Sequence, residues 1–131
     1  MAVMVDRLDA QERRRQPTDE ELLDRATDLS HRYLDGQADP RSVRWVGNQG
    51  SRWGSCTPED RTIRVSTRLR GTPPWVLDYV LVHELAHLRF SGHGAEFWEL
   101  VQRYPRTERA RGYLEGFSAA SGRALSDEAD Q

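Results

Sequence analysis

Apolar residues recur at a helical period in some stretches of this chain and at a strand period in others, and that division predicts its elements. After Pro17, the run Thr18-Asp19-Glu20-Glu21 has the form of a capping box, and Leu22, Ala26, Leu29 and Tyr33 follow at spacings of four and three. This predicts an amphipathic helix ending near Gly36. Residues 43–46 and 61–69 read as strands, the second alternating Ile63, Val65, Thr67 and Leu69 with Thr62, Arg64, Ser66 and Arg68. A third strand is expected over 53–56, with Asn48, Gly50 and Pro58-Glu59-Asp60 supplying the turns.

Thr72-Pro73-Pro74 marks a second helix start, because proline fits the first turn, where its missing amide hydrogen is not needed. The helix is expected over 74–90, and Trp75, Val76, Leu77, Tyr79, Val80, Leu81, Val82, Leu85, Ala86 and Leu88 make it apolar on almost every side. A helix so patterned is the central, buried one. Gly92 breaks the chain, and a helical pattern resumes over 95–104 until Pro105.

Both ends are polar, so disorder is expected over 1–16 and 118–131, leaving one domain over 17–117. All 4 tryptophans and all 3 phenylalanines lie in that central part. The 19 basic residues, every one arginine, against 21 acidic ones give a net charge of −2, which excludes a bulk positive field. Arg103, Arg106, Arg109 and Arg111 form a local basic cluster, but Glu108 and Glu115 interrupt it. A solvated face is its default reading, and nucleic acid is a partner not favoured. The single cysteine, Cys56, excludes an intramolecular disulfide and suits a reducing, cytoplasmic setting. No secretory signal or membrane-spanning run is expected.

Into the apolar helix the sequence sets His83-Glu84-Leu85-Ala86-His87. A spacing of four brings both imidazoles onto one helix face, about 6 Å apart along the axis. Burying two imidazoles and a carboxylate without partners costs several kcal/mol, so a metal that satisfies them makes such a helix energetically sensible. His93, past the Gly92 break, is the expected third ligand, and Glu96 or Glu99 are the alternatives. Three nitrogens suit one Zn2+ per chain and leave a fourth position for water. Glu84, adjacent to His83 and not needed as a ligand, is then the general base of peptide-bond hydrolysis. The alternative is a closed site with Cys56 as fourth ligand, giving a non-catalytic zinc-stabilised interaction module, possibly associated with nucleic acid. His31, on the first helix, is read as a surface residue.

Around this motif, Gly50-Ser51-Arg52-Trp53-Gly54-Ser55-Cys56, Pro74-Trp75-Val76-Leu77-Asp78-Tyr79-Val80 and Gly92-His93-Gly94-Ala95-Glu96-Phe97-Trp98 together resemble the YgjP-like zincin metallopeptidases over about residues 42–117. The H-G-x-E-F piece is also similar to SprT and Spartan relatives. The resemblance implies zinc on His83, His87 and His93, Glu84 as catalytic base, and a minimal α+β zincin fold: a small antiparallel or mixed sheet packed on the buried active-site helix, with flanking helices. Its substrate is a peptide or protein. Trp53, Gly54 and Ser55 are candidates for a substrate-binding edge strand. Arg52, Tyr104 and Tyr113 are candidates for oxyanion stabilisation, and Glu96 for a supporting contact to a ligand.

Overall fold

Helix α1 (Asp19–Tyr33) begins where the capping box predicts. Thr18 Oγ1 accepts from the Glu21 amide at 3.1 Å, and the Glu21 carboxylate accepts from the Thr18 amide at 2.8 Å. Its apolar stripe of Leu22, Ala26 and Leu29 is buried. The helix ends as the Leu34 and Gly36 amides both turn back to the Ser30 carbonyl, a geometry that places Gly36 at a φ of +68°. The structure, a computed structural model, describes residues 17–47, 50 and 52–120. Of the tails expected to be disordered, 1–16 and 121–131 fall outside the described residues, as does the turn residue Asn48, while 118–120 of the expected 118–131 tail are helical.

Three strands follow: β1 (Ser42–Val46), β2 (Gly54–Thr57) and β3 (Thr62–Ser66). They form a mixed sheet of order β1-β3-β2, in which β3 runs parallel to β1 and antiparallel to β2. The register aligns Val43, Ile63 and Cys56 in one row and Trp45, Val65 and Gly54 in another, on the same sheet face. Val43, Ile63 and Val65 are fully buried there. Arg44, Arg64 and Ser55 line up on the opposite face, where the Arg64 guanidinium donates to the hydroxyls of Ser55 and Thr57 at 3.0 and 2.9 Å.

The strand expected over 61–69 stops at Ser66. Its hydroxyl accepts from the Arg68 amide at 3.1 Å and starts a 3-10 turn, Thr67–Leu69. Side-chain capping here outcompetes the alternating pattern.

Helix α2 (Pro74–His87) opens on the predicted proline and is buried from Tyr79 through Ala86 without interruption. It ends at His87 rather than Phe90, and the amides of Leu88, Arg89 and Phe90 fold back on Leu85 and Ala86. Helix α3 (Ala95–Val101) is likewise shorter than the expected 95–104. Helix α4 (Thr107–Ala120) has no counterpart in the sequence expectations, and it carries Ser118, placed in the tail on sequence, as a buried residue. Its buried stripe is only Thr107, Ala110, Leu114 and Ser118, two of them polar, too thin for periodicity to show. The result is an α+β fold in which α2 contacts α1, α3, α4, β2 and β3. That central position lets one helix present functional side chains between a sheet edge and a following loop.

Candidate active site

His83 and His87 stand one turn apart on α2 with ring centroids 5.0 Å apart. The segment leaving α2 returns His93, whose ring lies 5.2 Å from His83 and 4.7 Å from His87. The His93 Nε2 atom is 3.3 Å from the Nε2 of His83 and 3.2 Å from that of His87. Nitrogens bound at 2.0–2.1 Å to a tetrahedral zinc ion are separated by about 3.3 Å, so these residues fit a single ion of that size. Among the described residues, the group able to hold a metal consists of His83, His87 and His93, and contains neither Cys56 nor Glu96 nor Glu99.

The surrounding contacts orient two of the rings. His87 Nδ1 donates to the Phe90 carbonyl at 3.0 Å. A carbonyl can only accept, so the proton sits on Nδ1 and the Nε2 lone pair faces the other histidines. His83 Nδ1 meets the Tyr79 hydroxyl, one turn earlier, at 3.3 Å. His93 Nδ1 is buried with no hydrogen-bond partner. Burial first, then the neighbouring His87 and Arg111, pull the His93 pKa down to about 4, which keeps this ring neutral at ordinary pH.

An aromatic wall packs the cluster. Phe97, 1% exposed, stacks on His87 at 4.4 Å and turns its edge to His83 and His93 at 5.0 and 4.6 Å. Trp98 stacks on His93 at 5.7 Å. Sequence reasoning assigned no role to Tyr79, Phe97 or Trp98. The signal for Tyr79 was present, since it lies four residues before His83 on a helix.

Glu84 is 4% exposed and points toward β2. A Cβ built on Gly54 would stand 3.0 Å from Glu84 Oε2 and 3.1 Å from Val80 Cγ1, so the missing side chain is what lets strand and helix meet. Glu84 and His87 open onto a groove of about 310 Å³ with Arg52, Cys56, Pro58, Glu59 and Ser91. The Cys56 thiol is pushed up to about 12, chiefly by burial and then by the Glu84 charge, and so stays protonated beside that carboxylate.

The other sequence candidates divide sharply. Arg52 lies at the groove. Trp53 is 2% exposed, with the Arg68 guanidinium over its ring at 4.2 Å and the Phe117 ring against it at 5.4 Å. Ser55 is held by Arg64 on the far side of the sheet. Glu96 is exposed and borders a separate surface groove with Arg89 and Phe90. Tyr104 and Tyr113 do not reach the histidines. The Tyr104 hydroxyl donates to the Trp75 carbonyl at 2.8 Å, and Tyr113 packs edge-on against the Trp75 ring at 5.8 Å. Trp75 precedes His83 by eight residues, about 12 Å of helix.

Three convergent imidazoles on and beside a buried helix, with a carboxylate opening onto a groove, form a candidate metal centre. The model of the YgjP-like metallopeptidase domain matches residues 9–116, and the chain belongs to that family. The crystal structure of the metallopeptidase zymogen abylysin from Pyrococcus abyssi is similar at 26% identity and a TM-score of 0.61, the match covering 81% of this chain and 97% of that one. No curated protein matches the chain. No helix among the described residues is long and apolar enough to cross a membrane.

Proposed function

We propose that this chain is a zinc-dependent endopeptidase in which His83, His87 and His93 hold the ion and Glu84 is the general base. The observation that carries the reading is the spacing of the three Nε2 atoms, 3.2 and 3.3 Å from His93 to its neighbours. Bound zinc supplies a Lewis acid that lowers the pKa of water and polarises a substrate carbonyl. The remaining work falls to the chain. His87 is held in the productive tautomer by Phe90. The Glu84 carboxylate, at the groove, takes a proton from the attacking water and delivers it to the departing amine. Cys56, protonated, does not set a second negative charge against Glu84.

Among the described residues β2 pairs with β3 along one side, and its other side, at Cys56, is where an extended peptide entering the groove would lie. Gly54 serves primarily the approach of helix α2, and the groove-facing part of the strand is Cys56. Arg52, at the same groove, is the side-chain donor placed to meet negative charge developing on the substrate. The lone cysteine supports a reducing compartment, and the cytoplasm is the proposed location.

Glu84→Gln tests the assignment. The variant is expected to keep its zinc, measured by elemental analysis, and to lose about 10²–10⁴-fold in peptide hydrolysis. Unchanged hydrolysis would remove Glu84 as the base, and a wild-type chain that takes up no zinc would overturn the metal reading.

A further inference from the structure

The three histidines are not held in the same way. His87 is tied through Nδ1 to the Phe90 carbonyl, and His83 to the Tyr79 hydroxyl, whereas the buried Nδ1 of His93 has no hydrogen-bond partner. Metal-binding histidines are ordinarily oriented by such a bond on the second nitrogen. The backbone offers little in its place: His93 stands between Gly92 and Gly94, and at neither position would a Cβ meet another atom within 4 Å. Ring contacts remain. The Trp98 indole lies over the His93 ring at 5.7 Å and 30°, while Phe97 meets it edge-on at 4.6 Å. Phe97 also packs against His83 and His87, so it does not single out the third ring, whereas Trp98 stacks on His93 and meets His83 only edge-on, at 6.0 Å. Trp98 is itself covered: the Arg111 guanidinium reaches from α4 to 4.4 Å from its ring centroid.

On the metal reading above, we propose that Trp98, braced by Arg111, is the positioning residue that fixes the His93 imidazole for metal binding, stacking where the other two histidines use a hydrogen bond. Two observations stand behind this assignment, the orphaned nitrogen and the continuous stack from α4 through α3 to the loop histidine. Indole is the largest flat surface a side chain can lay against an imidazole, and a guanidinium is the cation suited to lie on it. Helix α4, which contributes nothing to the groove, thereby acquires a part in the site.

The test measures zinc affinity of the full chain by competition with a chromophoric chelator, alongside thermal unfolding of the metal-free protein. Trp98→Ala is expected to weaken zinc binding by about 10–100-fold. Trp98→Leu, which keeps apolar bulk without a flat ring, should weaken it similarly, while Trp98→Phe should restore most of the affinity. Arg111→Lys keeps the charge and loses the planar stack, and is expected to cost roughly two- to fivefold. The metal-free unfolding of Trp98→Leu should stay close to that of the wild type, separating positioning from folding. Should Trp98→Ala fail to fold, the Leu and Phe variants decide. Equal zinc affinity in wild type and Trp98→Leu overturns the proposal, as does a Phe variant as weak as the Leu one. Unchanged affinity in Arg111→Lys removes the brace. A wild-type chain that binds no zinc overturns the metal reading and this inference with it, an outcome distinct from a wild type that binds and a Trp98 variant that binds equally well.

Discussion

At the N-terminal end of α2, the Trp75 carbonyl accepts from the Tyr104 hydroxyl, its ring takes the edge of Tyr113 and the guanidinium of Arg109, and Asp78 pairs with Arg25. At the C-terminal end, Phe97 and Trp98 pack around His83, His87 and His93. Both regions combine aromatic rings with buried polar atoms, and their composition does not distinguish them. The direction of donors and acceptors does. Around Trp75 the Tyr104 hydroxyl meets a carbonyl, the Arg25 guanidinium a carboxylate and the Arg109 guanidinium a ring. In the histidine cluster, three ring nitrogens converge, with His93 Nε2 at 3.2 and 3.3 Å from the other two, a spacing that a cation fits. One end of the helix is structural, and the other has chemistry left over.

The largest test of this contrast pairs His87→Ala with Tyr104→Phe. The first removes a nitrogen from the cluster together with its tie to Phe90, and zinc content and peptide hydrolysis are both expected to fall to background. The second removes one hydrogen bond to a backbone carbonyl, costing about 0.5–1.5 kcal/mol of stability, with hydrolysis and zinc content unchanged. Elemental analysis, a peptide digest and a denaturant titration on the two variants read the comparison directly. A Tyr104→Phe enzyme with impaired turnover would mean that the two ends are coupled.

Much of this division was legible in the sequence. The four-residue spacing of His83 and His87 needs only a helix to put both rings on one face, and the apolar run around them marks that helix as buried. The capping box of α1 is equally local, and it forms as written. His93 was reachable because the glycine break after α2 forces the chain to return. What escaped depends on contacts between distant residues. Tyr104 and Tyr113 carry the right hydroxyls for an oxyanion role, but the turn after α3 sets the first against Trp75 and the path of α4 the second. That path was itself invisible, because α4 buries only a narrow stripe in which Leu114 is the one large apolar residue. The end of β3 turned on one serine hydroxyl, a local competition that alternation does not register.

Between the two ends lies Gly54, and it offers a way to disturb Glu84 without touching a histidine. A methyl group there would stand 3.0 Å from Glu84 Oε2, 3.1 Å from Val80 Cγ1 and 3.2 Å from the Arg64 carbonyl oxygen. Of these three, the carboxylate is the far end of a flexible side chain and yields first. Gly54→Ala is therefore expected to cost about 1–3 kcal/mol through overpacking. The displaced Glu84 should lower kcat by up to about 10²-fold while zinc content and KM stay near those of the wild type. Loss of zinc in this variant would show that the strand supports the histidines as well as the carboxylate.

The smallest effects should separate the two ends by pH. In the metal-free protein, His93 is pulled down to about 4 from the ordinary 6.5, chiefly by burial. Between those values the unfolded chain holds a proton that the folded chain excludes, so stability falls as pH drops from 6.5 toward 4. Tyr104 is shifted the other way, from 10.0 up to about 12, again by burial first. The unfolded chain loses that proton earlier, so this contribution erodes stability as pH rises from 10.0 toward 12. Cys56, pushed from 9.0 to about 12, acts in the same alkaline direction. Denaturant midpoints followed across pH should therefore lose an acid-side slope in a His93→Gln variant and only part of the alkaline slope in Tyr104→Phe, where Cys56 still titrates. Zinc should steepen the acid side alone, because its ligands must be deprotonated to bind. A Tyr104→Phe variant that flattened the acid side would place the tyrosine in the histidine cluster and undo the distinction between the two ends of the helix.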